Sequence, residues 1–253
     1  LALLGIVLAG PLVCGMSQAV NDWFDRHVDA VNEPQRPIPS GRLPGRTGLW
    51  VAVAWTALSL GVGWLLGPWG FAATALGVAL AWAYSAPPLR LKRDGWTGNA
   101  ACALSYETLP WITAAAVLAG GAPDPRVAGV ALLYGLGAHG IMTLNDFKSI
   151  EGDRRFGILS LPVRLGPDRA ARLACVAMAV PQAVVIILLW AWGAPWHAAA
   201  VAASLLLQLL CMARLLRDPR GLAPWYNGTG VLLYVLGMMA SALALRPVLA
   251  AGA

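Results

Sequence analysis

Eight apolar runs, at about 1–20, 47–66, 69–85, 99–119, 126–144, 170–192, 196–213 and 227–249, alternate along the chain with charged or Pro/Gly-rich breaks. Each is close to the roughly 20 residues that an α-helix needs to cross a hydrocarbon layer. With 58% hydrophobic and only 12% charged residues and a mean hydropathy of +0.66, the chain has about half the charge of a typical soluble domain. An ordinary water-soluble globule is excluded. The pattern predicts an all-α, polytopic transmembrane helical bundle forming a single membrane-embedded domain over residues 1–253. Two of the breaks, Gly67-Pro68 and Gly193-Ala194-Pro195, are short enough to read as the turns of tight helical hairpins.

Charge placement sets the topology. The breaks at about 21–46, 86–98, 145–172 and 214–226 hold sixteen of the eighteen Lys and Arg, leaving Arg126 and Arg246 for the other side. Basic residues stay in cytoplasmic loops, so these four breaks are expected to face the cytoplasm. The net charge of +6 then records orientation and not a nucleic-acid partner. A miscounted run would flip every later loop and destroy the asymmetry. The first visible run enters from outside, and a ninth helix is expected ahead of Leu1 in the full protein. Residues 1–20 lack a basic flank and a small-residue cleavage site and read as a span, not a signal peptide. Ten of the twelve acids share the cytoplasmic side; Asp124 lies opposite, and Glu107 falls inside a run. Charges at the bilayer centre are costly. Acids kept at helix ends therefore place the expected chemistry at the cytoplasmic mouth.

The first basic break opens Asn21-Asp22-Trp23-Phe24-Asp25-Arg26-His27-Val28-Asp29. If the preceding helix continues at about 100° per residue, Asp22, Asp25 and Asp29 fall within an arc of about 60°. Three carboxylates on one face repel, and a hard divalent cation is the natural partner: oxygen ligands that share the ion with substrate phosphate describe Mg²⁺. The alternative is a solvated helix end. After the fifth run the theme returns as Asn145-Asp146-Phe147-Lys148-Ser149-Ile150-Glu151-Gly152-Asp153, where Asp146 and Asp153 share a helical face. The two Asn-Asp pairs are separated by four runs and so open on the same membrane face. That predicts two parallel pseudo-repeat halves around a central cavity, unlike an inverted transporter repeat.

Cations lie among the acids: Arg26, Arg36, Arg90, Lys92, Arg93, Lys148, Arg154 and Arg155. Acids for Mg²⁺ and bases for oxyanions together read as a diphosphate site, although each base alone is more readily a topology or lipid-headgroup residue. Lys148, inside an acidic motif, and Arg36, in a Pro-flanked stretch, are the strongest candidates. Asn21, Arg90, Lys92 and Arg154 complete the expected diphosphate set.

Asn21-Asp22-x-x-Asp25-x-x-x-Asp29 followed by Asn32-Glu33-Pro34-Gln35-Arg36-Pro37-Ile38-Pro39-Ser40-Gly41 resembles the first signature of the UbiA superfamily of intramembrane prenyltransferases. Tyr84-Ser85-Ala86-Pro87-Pro88-Leu89-Arg90-Leu91-Lys92 is similar to a further recurrent loop of that superfamily, and Gly152-Asp153 with Ser160-Leu161-Pro162 to the tail of its second acidic motif. The resemblance spans essentially the whole chain. Asp29-Ala30-x-Asn32-Glu33-Pro34 and the 145–153 motif are most like the chlorophyll synthase branch, and Trp23-Phe24-Asp25-Arg26-His27 and Arg42-Leu43-Pro44-Gly45 are more like its bacterial members. Many members carry Asp where this chain has Ser149, which leaves Asp146 and Asp153 as the metal candidates of the second cluster.

The resemblance implies transfer of a geranylgeranyl or phytyl group from its diphosphate to the propionate carboxylate of bacteriochlorophyllide a. It implies Mg²⁺ held by Asp22, Asp25, Asp29, Asp146 and Asp153, with Asp22, Asp25, Asp146 and Lys148 as catalytic residues. Membrane lipid and photosystem-assembly or pigment-biosynthesis proteins are the expected partners, and a bacterial inner membrane the expected location. A carboxylate nucleophile is already ionised at neutral pH and needs no strong base, which suits a chain with only three histidines and no evident catalytic dyad. Glu107 and His139 are candidates for tetrapyrrole binding; an interhelical hydrogen bond and a packed neutral ring are their respective alternatives. His27 reads as solvent-exposed, and Cys14, Cys102, Cys175 and Cys211 as small apolar residues without a C-x-x-C pair. Of the twelve Trp, Trp50, Trp69, Trp96, Trp111, Trp196 and Trp225 fall near run ends and suit interfacial anchoring. The rival readings are a superfamily member acting on a quinone precursor or haem, a cation-coupled transporter, and a non-catalytic pigment-binding protein. A transporter predicts mid-run carboxylates, where only Glu107 lies, and a pigment carrier has no need of two acidic clusters.

Overall fold

The structure, a computed structural model, describes residues 1–251. In chain order the helices are α1 (Ala2–Val7), α2 (Gly15–Asn32), α3 (Thr47–Leu65), α4 (Gly67–Ser85), α5 (Gly95–Ala103), α6 (Leu109–Ala119), α7 (Pro125–Asn145), α8 (Ile150–Phe156), α9 (Leu161–Leu165), α10 (Pro167–Ala191), α11 (Pro195–Leu215) and α12 (Pro219–Ala251). A π-helical segment, Leu8–Cys14, joins α1 to α2; another, Leu104–Thr108, joins α5 to α6; and a 3-10 turn, Asp146–Ser149, joins α7 to α8. Among the described residues the extended pairing is one parallel bridge, Asp94 with Leu159.

All eight apolar runs are helical, and seven of the resulting helical segments are long and apolar enough to cross a membrane among the described residues. The remaining helix, α4, has 19 residues, but Gly67-Pro68-Trp69-Gly70 at one end and Tyr84-Ser85 at the other dilute its apolar content. The first segment runs helically to Asn32, well past its apolar part. Pro11 lies in its π-helical stretch, where its missing N–H would break a regular ladder and the wider turn absorbs the defect. Both hairpins turn on a glycine in the left-handed region, Gly67 at φ +82° and Gly193 at φ +76°, a conformation that costs other residues a Cβ clash.

The chain divides into two compact units, one of Leu1–Leu91 with Leu109–Pro123, the other of Lys92–Thr108 with the chain from Asp124 onward. In the first unit α2, α3 and α4 pack together, with α6 against α4 and α1. Met16, Val20, Ala52, Val78 and Ala81 form the core where α2 meets the hairpin. Phe24 meets Trp82 edge to face at 6.1 Å, and the Trp82 indole donates to Thr56 Oγ1 at 3.0 Å.

In the second unit α7 packs against α10, α5 and α12, and α11 against α10 and α12. Its interior carries polar groups that bond to one another, with the Gln182 Oε1 left unpartnered. Tyr234 donates to the Tyr134 carbonyl at 2.7 Å, the Tyr134 and Ser241 hydroxyls are 2.8 Å apart, and Gln182 donates to Gln208, which donates to the Gly230 carbonyl at 2.9 Å. All four of these side-chain-bearing helices are thereby joined where the surroundings offer no water. Asp124 caps α7 through the Arg126 amide, and hydrogen bonds from Arg126 hold its carboxyl below the usual range.

The contact of α7 with α10 depends on Gly140, where an added Cβ would stand 2.5 Å from the Ala174 carbonyl oxygen. Because that neighbour is backbone, the helices must separate to admit it. Gly140→Ala is expected to destabilise the protein by about 1–3 kcal/mol, measured as a lower thermal unfolding midpoint in detergent.

Candidate active site

The helical extension beyond the first apolar run carries Asn21, Asp22, Asp25 and Asp29 on α2 of the first unit. Asn21 donates to Ser85 Oγ at 3.3 Å, tying α2 to the end of α4. Arg36 reaches back from the turn after α2: one guanidinium nitrogen is 2.9 Å from Asp22 and 3.4 Å from Asp29, while its Nε donates to Glu33. Amide-to-carbonyl bonds from Arg36 to Glu33 and from Ser40 to Arg36, each 3.0 Å, fold this Pro-rich stretch into consecutive turns. The hydrogen bond to Glu33 raises the Arg36 pKa above its ordinary value against a small opposing burial cost, so Arg36 stays charged. Asp25 accepts from Arg90 at 3.2 Å. Arg90 sits at φ +40° just after the cis Pro87–Pro88 bond, and its buried Nε has no hydrogen-bond partner. A buried donor of that kind is costly and marks a place for an acceptor such as an oxyanion.

The second cluster, in the other unit, is held by neutral donors. Asp146 begins the 3-10 turn after α7 and accepts from Asn99 of α5 at 3.0 Å. Asp153 is buried on α8, and its Oδ2 lies 2.6 Å from the Ser160 hydroxyl and 3.0 Å from that of Ser149. The loop bearing Ser160 is fastened by two amide bonds, Leu159 to the Arg93 carbonyl and Gly95 to the Leu159 carbonyl, at 2.8 and 2.9 Å. Asp94 caps α5 through Thr97 and pairs with Arg164 at 2.9 Å. Its role is to hold this junction.

Lys148 is exposed on the same turn as Asp146. Arg154 is also exposed, 3.9 Å from Glu151, which pairs more closely with Arg220. Lys92 lies half-buried in the short turn Leu91–Arg93, and Glu107 half-buried in the π-helical segment Leu104–Thr108. His139 packs beside Trp96, with ring centroids 5.8 Å apart and Nε2 at 3.2 Å from the Trp96 carbonyl. A carbonyl only accepts, so Nε2 carries the proton and Nδ1 keeps the lone pair. His27 is exposed, as expected.

Among the described residues no three His, Cys, Asp or Glu side chains form a metal cage. Mg²⁺ does not require one: it binds through one or two carboxylates together with waters and substrate phosphates. The hard oxygen donors of both clusters suit that ion. Reading the sequence missed Asn99 and the Arg36 bridge. An Asn within the small apolar stretch Gly98-Asn99-Ala100-Ala101 was the available signal for the first, while the second depends on a turn conformation.

Helices of crossing length with paired and hydrogen-bonded carboxylates at their ends define a polytopic helical membrane protein. A model of the UbiA prenyltransferase family matches residues 1–234, and the chain belongs to that family: it is a prenyltransferase. It is 66% identical over 246 residues to the bacteriochlorophyll synthase 33 kDa chain of Cereibacter sphaeroides, covering 97% of this chain and 82% of the relative. It is 38% identical over 254 residues to chloroplastic chlorophyll synthase of Arabidopsis thaliana, covering 96% of this chain and 64% of that protein. In fold it is similar to a UbiA homolog from Archaeoglobus fulgidus bound to DMAPP and Mg²⁺, with TM-score 0.72 and 20% identity over 95% of this chain and 87% of that one. A digeranylgeranylglyceryl phosphate synthase structure matches with TM-score 0.77 at 18% identity, covering 97% of this chain and 92% of that one.

Arg36→Gln removes the one group that bridges Asp22, Asp29 and Glu33. The turn following α2 is expected to loosen, read as faster thermolysin cleavage within residues 33–46 than in the unsubstituted protein.

Proposed function

We infer that the chain transfers a geranylgeranyl or phytyl group from its diphosphate to the propionate carboxylate of bacteriochlorophyllide a, yielding the esterified bacteriochlorophyll and diphosphate. The observation that carries this is the 66% identity to a bacteriochlorophyll synthase chain across 97% of this sequence, supported by the more distant likeness to a chlorophyll synthase. The bond between the allylic carbon and the diphosphate oxygen breaks, the electron pair leaves with diphosphate, and a carboxylate oxygen bonds to that carbon. The acceptor is ionised at neutral pH, so no proton need be removed.

Asp22, Asp25 and Asp29 of the first unit, and Asp146 and Asp153 of the second, are assigned to Mg²⁺, a reading supported by their oxygen chemistry and by the ligands of the archaeal fold relative. Mg²⁺, when bound, withdraws charge from the departing diphosphate. Arg90 is assigned to a diphosphate oxygen because its buried Nε lacks an acceptor, and Asn21, Arg36, Lys92, Lys148 and Arg154 complete the set. Lys148 supports the leaving group beside Asp146. Glu107 and His139 are assigned to the tetrapyrrole, His139 through Nδ1. The apolar helices keep water from the allylic cation, which would otherwise be lost as the free alcohol. The concentration of basic residues in four loops supports an active site facing the cytoplasm of a bacterial inner membrane.

Purified protein given bacteriochlorophyllide a, geranylgeranyl diphosphate and Mg²⁺ is expected to form the ester, detected by chromatography. No ester, with prenylation of 4-hydroxybenzoate instead, would move the chain to a different acceptor. Asp25→Ala and Asp146→Ala are each expected to lose turnover while keeping helix content and unfolding midpoint; full activity in both would refute the assignment of these acids.

A further inference from the structure

Asn99 lies on α5 among small apolar residues with 7% of its surface exposed. A buried amide in such a setting costs free energy unless it is hydrogen-bonded. Its Nδ2 faces two acceptors, Thr143 Oγ1 on α7 at 3.4 Å and Asp146 Oδ2 in the 3-10 turn after α7 at 3.0 Å. Thr143 spends its single hydroxyl hydrogen on the His139 carbonyl at 2.9 Å, so toward Asn99 it presents a lone pair. A carboxylate likewise only accepts. With both neighbours accepting, the amide cannot be reversed without setting its oxygen against theirs, and its orientation is determined by the chemistry around it.

We propose that Asn99 is a positioning residue for the reaction, fixing the Asp146 carboxylate so that it meets the Mg²⁺ diphosphate in one orientation. The proposal rests on the assignment of Asp146 given under Proposed function. A neutral amide suits this task better than a cation: it stops rotation of the carboxylate and leaves its negative charge intact for the incoming metal. The position on α5 matters as well, because Asp146 stands where α7 gives way to a 3-10 turn. A carboxylate at such a junction has less support from its own helix, and the neighbouring helix supplies it.

The test uses the full chain in detergent. Mn²⁺ affinity is measured by electron paramagnetic resonance with inorganic diphosphate present, alongside kcat and the KM for bacteriochlorophyllide a. Asn99→Leu and Asn99→Ser are each expected to weaken Mn²⁺ binding by about 10- to 100-fold and lower kcat, with the acceptor KM changed by less than about two-fold, as for residues that orient metal ligands. Thr143→Val, which removes the other acceptor, is expected to leave both readouts near those of the unsubstituted protein. If Asn99→Leu does not fold, as judged by its unfolding midpoint, Asn99→Ser decides the matter. Unchanged Mn²⁺ affinity and kcat in the folded Asn99 variants, with Asp146→Ala inactive and impaired in Mn²⁺ binding, would overturn the positioning role alone. Retained Mn²⁺ binding and turnover in Asp146→Ala would instead overturn the assignment beneath it.

Discussion

A carboxylate at the end of an apolar helix must be met by a cation or by hydrogen-bond donors, and that requirement organises the acid-bearing segments of this chain. In the first unit the answer is guanidinium. Arg36 spans Asp22 and Asp29, Arg90 takes Asp25, and the chain geometry on either side serves these contacts: a Pro-rich succession of turns brings Arg36 back along α2, and a left-handed backbone at Arg90 follows the Pro87–Pro88 bond. Surface ion pairs contribute little to stability. Their value is in the arrangement, which fixes the turn after α2 and the segment after α4 against the acid-bearing helix.

The second unit solves the same problem with neutral groups. Asp146 has the Asn99 amide, Asp153 the Ser149 and Ser160 hydroxyls, and the loop holding Ser160 is pinned to the start of α5. Gly95 permits this, because an added Cβ would lie 2.5 Å from the Leu161 amide nitrogen. Ser149 lies between the two acids of this cluster. Here its hydroxyl is within 3.0 Å of both Asp153 Oδ2 and the Asp146 carbonyl and can donate to one at a time.

The succession of crossing helices was legible because its signals are strong and redundant: run length, and glycines at the hairpin turns. The first apolar run ends at about residue 20, and the spacing of Asp22, Asp25 and Asp29 showed only that they would share a face if the helix went on, as it does to Asn32. Local irregularities were not legible. The π-helical segments at Leu8–Cys14 and Leu104–Thr108 interrupt apolar runs, and the 3-10 turn at Asp146–Ser149 follows one. They arise from packing, which a single sequence does not display. The Arg36 bridge was hidden for a related reason: the acids announce a need for positive charge, but which of many nearby bases supplies it depends on how the intervening turns fold. Asn99 was visible as a polar residue in an apolar stretch, yet its partner is 47 positions away.

Polarity inside a membrane protein is commonly a sign of function, and here it divides into two kinds that the partners distinguish. Tyr134, Tyr234, Gln182, Gln208 and Ser241 bond to one another or to backbone carbonyls, are fully buried, and join helices of one unit. These bonds run from helix to helix within the unit, with only the Gln182 Oε1 among these groups left without a partner. The acids at the helix ends are instead held by donors that a ligand can share or replace, and Arg90 retains a buried N–H with nothing to bind. A reaction whose nucleophile is already ionised needs little proton transfer from the protein and much control of leaving-group charge. Catalytic polarity therefore belongs where carboxylates and guanidinium groups can reach a diphosphate, while the polar groups of the interior are free to serve packing alone.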